Sequence, residues 1–472
     1  MTYYSLIFPL FFAVSVLVFW LVPPKARAAV LLAAGVCYMA SWGAVSLGVL
    51  AAVTVLTWAC GRGLAAARTV VARRVFLGLG LLGSAGYLFA RKAVTLASPG
   101  TALLAATGLA FYALQAASYL ADLYKGKCPV QKSLLKYAVY MSFFPRVLSG
   151  PIGRAEEFFP QLEALCSGQR RCEPTEMQRG LITMLGGWTE KLVLANLLSA
   201  WVNAVYTQWT ECSAPVVLVG GLFFGFSLYF DFAGYSHLAL GASRVLGFTL
   251  APNFRRPYFA QSLGEFWQRW HISLSSWLRD YIYIPLGGSR RGTPRRVFNL
   301  IVTFLVSGLW HGSGWQYLFW GLLHGLMQSF GALTRPLRRR FAGWGGTAGV
   351  WVRRAFITLC ANGAFLFFGA PSLGQGFGMV GRIVSGAAGL GFLDLGVSGT
   401  ELAFLLLALV LAFALDLAAE RAENAGSCLY ERFSALPGAV RAAALLVLAV
   451  TVLVFACRLV GGDAAAFYYA QF

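Results

Sequence analysis

The chain carries four histidines, His237, His271, His311 and His324. Imidazole is the side chain best suited to take a proton or attack an acyl carbon near neutral pH. His311 stands in the stretch SGLWHGSGW, Ser307 to Trp315, inside one of the most apolar parts of the sequence. A helix over residues 297–310 starts just past Arg295 and Arg296, and about fourteen residues rise ~21 Å, well into a ~30 Å hydrocarbon core. An ionisable side chain at that depth is a functional candidate by default. Gly308, Gly312 and Gly314 around it let another backbone or a ligand come close. His271 falls in GEFWQRWHISLSSWLRDYIYIPLGGSRRG, Gly264 to Gly292. There Trp267, Trp270, His271, Leu274, Leu278 and Tyr281 follow steps of three and four, which predicts one amphipathic helix with His271 on its apolar face. Pro285 and Gly287–Gly288 end it.

The other two histidines read as structural. His324, in WGLLHGLMQ, is expected to pack or to support the centre, and His237, close to Asp231 in sequence, to pair with a carboxylate. The four have no short ligand spacing such as HxH or HxxxH, so no metal site is expected. The P-loop and GxSxG are missing from the sequence, which leaves nucleoside-triphosphate-loop and serine-hydrolase chemistry without support.

The elements that must position these groups are membrane helices. The 472 residues are 58% hydrophobic and 12% charged, with a mean hydropathy of +0.67, where a soluble domain averages roughly 25% charged residues. Candidate spans lie at about 4–22, 29–42, 44–60, 75–91, 101–121, 180–200, 214–231, 297–310, 315–333, 355–370, 399–418 and 440–457, a dozen in all, several of them short. The net charge of +20 is carried by short basic runs between apolar segments, a positive-inside pattern rather than a nucleic-acid surface. Lys25 and Arg27 follow the first apolar run instead of preceding it, so that run reads as a first span leaving the outer side, not as a cleaved signal. Arg62 to Arg74, Lys125 to Lys136, Arg290 to Arg296 and Arg335 to Arg340 then fall inside, and Arg91 and Lys92 are the exception on the outer side. Glu190–Lys191 reads as an interface anchor. The nine cysteines include no CxxC and read as packing residues.

Residues 137–175 and 251–296 break the helical pattern with Pro, Gly, Arg and aromatics while staying largely apolar. Broken backbone near a bilayer survives only when protein buries it or it lines a wet cavity, so the meeting point of the two regions is the expected substrate path.

Several stretches carry a resemblance. FWQRWHISLSSWLRDYIYIPLGGSRRG and SGLWHGSGWQYLFWGLLHG, with FYALQAASYLADLYKGK, SFFPRVLSGPIGRAEEFFPQL and YFDFAGYSHLALGASRVLGFTLAPNFRRPYFAQSLGEFW in order, resemble the membrane-bound O-acyltransferase (MBOAT) family, and within it the alginate O-acetylation branch. The resemblance is strong over residues 1–330 and one of layout beyond them. The final FYYAQF is similar to an aromatic tail of that branch, departing from it at Ala470.

The resemblance implies an all-α, polytopic integral membrane fold with re-entrant and interfacial helices. Residues 1–472 would form one domain, with a motif-rich core at 101–330 and a tail at 459–472. It implies His311, the histidine of WHG, as the catalytic residue and His271, in RWHIS, as a second site residue. No cofactor would be bound permanently. Acetyl-CoA would be the acyl donor, its acidic phosphates suited to Arg290, Arg291, Arg295 and Arg296. A polysaccharide would be the acceptor, reached through an extracytoplasmic SGNH or lipase-like acyltransferase partner, with the chain multi-pass in the lipid bilayer of a bacterial inner membrane. D-alanyl transfer from a carrier protein is the alternative within the family, and a transporter or non-catalytic scaffold the alternative outside it.

Overall fold

Backbone N–H and C=O groups facing lipid have no water to bond, so apolar segments close on themselves as helices. The computed structural model describes the chain except residues 6, 99–104, 341–344, 397 and 461–472. Helices account for nearly every ordered element among the described residues, and no strand is formed. Five helices are long and apolar enough to cross a membrane: Ala44–Ala66, Ala214–Val245, Gly346–Gly369, Gly399–Asn424 and Gly438–Cys457. Shorter apolar helices, Ile7–Leu21 among them, fill in around these. The chain is thus a multi-pass membrane protein. The expected spans fall on these elements, with three qualifications. Residues 75–91 belong to Val70–Leu81, a π-helical turn Leu82–Gly86 and Tyr87–Ala97. Part of the 101–121 span lies outside the described residues, its helix being Leu109–Tyr124. Residues 180–200 are likewise divided, by the π-helical turn Glu190–Ala195; of the tail at 459–472, residues 461–472 lie outside the described residues.

Two elements organise the interior. Leu109–Tyr124 is buried nearly all round, including Gln115, Ser118 and Asp122. A helix with no polar face must sit inside the protein. Its carbonyls at Ala110 and Leu114, one turn apart, accept bonds from Trp310 Nε1 (2.9 Å) and Trp277 Nε1 (3.0 Å). One helical face therefore fixes both histidine-bearing segments. The second element is Ala214–Val245, 32 residues and so about 48 Å long at 1.5 Å per residue. It crosses Pro174–Thr189 with backbones nearly touching, since a Cβ at Gly187 would lie 2.6 Å from the Gly234 carbonyl. Close backbone approach at small residues is how helices associate where lipid removes the hydrophobic drive.

The amphipathic helix expected over Gly264–Pro285 does not form as one piece. It is Leu263–Arg269, then Ile272–Leu278, then a π-helical turn Arg279–Tyr283. The break falls at His271, whose φ of 41° is left-handed. The spacing of apolar residues continues unbroken through Trp270 and His271, so periodicity could not show it.

At the far end of the chain, Gly399–Asn424 and Gly438–Cys457 leave most of their apolar surface outward, as helices against lipid do.

Candidate active site

His311 is the last residue of the helix Thr293–His311. Gly312 to Gly314 reverse the chain into Trp315–Leu333. The two helices approach so closely that a Cβ on Gly308 would overlap the Tyr317 carbonyl, which is the reason for glycine there. The reversal holds the ring at 2% exposure inside the protein. Its wall is aromatic: the Trp310, Trp320 and Phe368 rings stand 4.8, 5.1 and 5.2 Å away.

His271 is fully buried and enters from the broken segment. Asn253 holds the break open: its carbonyl accepts from Ile272 N (2.9 Å) and its side-chain oxygen from Ser273 N (3.2 Å). Arg255 N donates to the Arg269 carbonyl (2.9 Å) from the same strap. The imidazole thus reaches Phe232 edge-on at 4.6 Å, Trp310 at 5.6 Å and His311 at 6.4 Å between ring centroids. The two sequence-predicted histidines, forty residues apart in the chain, share one aromatic enclosure.

His324, buried one layer further on, accepts from Trp267 Nε1 at 3.4 Å and faces the Trp320 ring at 4.9 Å. It supports the Trp320 wall, in keeping with its expected packing role. His237 stands apart. Its Nδ1 bonds Glu190 Oε2 at 2.6 Å, so it finds a carboxylate, though not Asp231. Asp231 is ion-paired with Lys191, both buried. This corrects the reading of Glu190–Lys191 as an interface anchor. The pair sits on a π-helical turn, Glu190–Ala195, which turns Lys191 inward to a helix forty residues on.

The two broken regions do meet. Arg154 bonds Asp280 at 3.1 Å and lies over the Tyr281 ring at 4.7 Å, while Tyr281 donates to Asp122 at 2.6 Å. A tie from the C-terminal part holds the His271 segment. Glu420, 7% exposed, takes Arg269 on both oxygens (3.0 Å each) and Arg256 Nε at 2.7 Å. No spacing pattern linked Glu420 to the site.

Lys92 was also missed. The charge pattern only marked it, with Arg91, as an exception on the outer side; it is 1% exposed, and its Nζ donates to the carbonyl of Trp310, the residue before His311.

The four arginines lie at the other end of the His311 helix. Arg290 and Arg291 are exposed, and Arg295 bonds the Leu286 carbonyl. Arg296 lines an open cleft of about 340 Å³ with Thr293, Ala332 and Arg335. Arg296 and His311 are separated by about 22 Å of helix rise. Among the described residues, no three His, Cys, Asp or Glu side chains gather as a metal ion would need. What the enclosure can do is proton transfer by imidazole on a small substrate shielded from water.

Comparison with known proteins shows the family. The model of "MBOAT, membrane-bound O-acyltransferase family" matches residues 129–370. The "Probable alginate O-acetylase AlgI" of Pseudomonas putida is 33% identical over 72% of this chain and 73% of its own length. The protein of the same name from Azotobacter vinelandii is 35% identical over 68% and 66%. The "Peptidoglycan O-acetyltransferase" of Helicobacter pylori is 32% identical over 51% and 50%. Both histidines of the enclosure lie within the matched residues, and Lys92 and Glu420 lie outside them.

Proposed function

We propose, from the premise that this chain belongs to the membrane-bound O-acyltransferase family, that it takes acetyl groups from acetyl-CoA and passes them across a bacterial inner membrane for O-acetylation of an extracytoplasmic polysaccharide. The observation that carries this reading is the pairing of His311 and His271 in one buried aromatic enclosure, at the end of a helix whose start bears Arg295 and Arg296. Relatives with polymer O-acetylating names support the substrate class.

In this reading residues 1–472 act as one membrane domain. Arg290, Arg291, Arg295 and Arg296 hold the phosphates of the donor, and the thioester reaches His311. His311 is the general base. The acceptor hydroxyl oxygen bonds to the acetyl carbon, its proton passes to the imidazole, and the C–S bond breaks with its electron pair on sulfur. The thiolate then takes the proton from His311. His271 keeps the acyl group aligned in the enclosure. The acceptor hydroxyl in this step is carried by the SGNH or lipase-like extracytoplasmic partner, and its acetyl ester is then attacked by a polymer hydroxyl, the partner's oxygen taking that hydroxyl's proton as the ester bond breaks.

The test uses membranes holding the full chain, its partner and labelled acetyl-CoA. His311→Ala is expected to lower acetylated product by a factor on the order of 10³, within the range for loss of a catalytic base, while still inserting. Normal polymer acetylation by that variant sinks the mechanism. Product from an aminoacyl carrier protein and none from acetyl-CoA would redirect the reading to D-alanyl transfer, the activity named in a relative from Streptococcus thermophilus.

A further inference from the structure

Lys92 occupies a position that neither packing nor charge balance accounts for. It lies on Tyr87–Ala97, directly after the π-helical turn that shifts this helix's register. The side chain is 1% exposed. Among the described residues no carboxylate forms an ion pair with it. Its hydrogen bond among the described residues runs to the Trp310 carbonyl, and Trp310 is itself pinned through Nε1 to Ala110. The amine is therefore held at the backbone of the residue that precedes His311. An amine buried without a carboxylate is costly. An apolar residue would fill the space at less cost, unless the missing negative charge arrives with the substrate.

Acyl transfer supplies that charge. When the acceptor oxygen bonds to the acetyl carbon, the carbonyl π pair moves onto oxygen and makes an oxyanion. The charge disappears when the pair returns to the C=O bond and the C–S bond breaks. A donor already in place at that oxygen stabilises the transition state without reorganising. An ammonium has three N–H bonds, of which the Trp310 carbonyl uses one.

We propose that Lys92 is a further catalytic residue, donating an N–H bond and positive charge to the acetyl carbonyl oxygen as it becomes an oxyanion at His311. Lys92 acts in its protonated form and transfers no proton in the step, and the acceptor's proton goes to His311. The proposal rests on the reading of His311 as the transfer centre.

The experiment compares Lys92→Gln, Lys92→Arg and His311→Ala with the parent chain, in membranes with the partner and labelled acetyl-CoA. Membrane yield and elution as a single species are checked for each. Gln keeps an N–H for the Trp310 carbonyl but carries no charge, whereas Arg keeps the charge. The expected result is a kcat lower by about 10² for Lys92→Gln, the scale for losing one oxyanion donor, with KM little changed. Lys92→Arg should recover at least tenfold over Gln. Parental activity in Lys92→Gln would reduce the lysine to a structural tie and overturn the proposal. So would a loss confined to KM, or an Arg variant no faster than Gln. A parental rate in His311→Ala would instead bring down the transfer centre itself.

Discussion

Two clusters of titratable groups lie inside this membrane protein, and they are built differently. Around helix Ala214–Val245 the charges are matched: Lys191 with Asp231 in the interior, His237 with Glu190 nearer the surface. Around the end of helix Thr293–His311 the neighbours are rings: Trp310, Trp320, Phe232 and Phe368 wall in two imidazoles, and Lys92, which has no carboxylate partner among the described residues, bonds the backbone alongside. A matched pair has satisfied its own field and has little left to offer a substrate. A ring-walled group keeps its proton chemistry for whatever enters. The difference teaches where to look for reaction and where to look for scaffolding among polar groups of equal burial.

That contrast breaks if substitutions in the matched cluster change rate rather than stability. The largest effect there is expected from Asp231→Asn, which strands the Lys191 ammonium. Removing one partner of a buried pair costs about 3–5 kcal/mol, read as a lower unfolding midpoint in detergent. The double variant Lys191→Met, Asp231→Leu should regain most of it, with turnover per folded molecule unchanged. A double variant that folds and does not turn over would place this cluster in the chemistry.

Glu420→Gln tests the boundary between the clusters, because Glu420 touches neither histidine yet holds the segment that carries one. It should lose charge-assisted bonds to Arg269 and Arg256, worth roughly 1.5–3 kcal/mol in total, and lower kcat about tenfold by loosening the His271 turn. Glu420→Asp should recover part of that rate. Full activity in the Gln variant would detach the C-terminal helix from the site.

The smallest effect is expected at His237→Gln. Its side chain is 33% exposed, and that of Glu190 is 21% exposed. Partly exposed pairs contribute about 1 kcal/mol or less, so both the melting midpoint and the acetylation rate should stay close to the parent's.

The sequence made His311 legible because its signals are local: a basic start, a helix of known rise, and glycines at the end. His271 was legible as a residue but not as a conformation. The steps of three and four run straight through it, and the force that breaks the helix comes from Asn253, well upstream. Lys92 and Lys191 were misplaced for one shared reason. Charge-bias rules treat lysine as an interface residue, and they see neither a π-helical turn that rotates a side chain inward nor the partner that awaits it. Lys191 lies on such a turn, and Lys92 lies on the helix that follows one. The membrane spans themselves were readable from apolar length alone, since the bilayer imposes that length from outside.

The left-handed backbone at His271 has one more consequence. A side chain at φ 41° costs of order 1–2 kcal/mol that glycine would not. Glycine at 271 would keep the turn and relieve that cost, but it would empty a fully buried place between Phe232, Trp310 and His311. Losing a buried ring costs about 3–5 kcal/mol, so the packing of the ring is what makes the strained turn affordable.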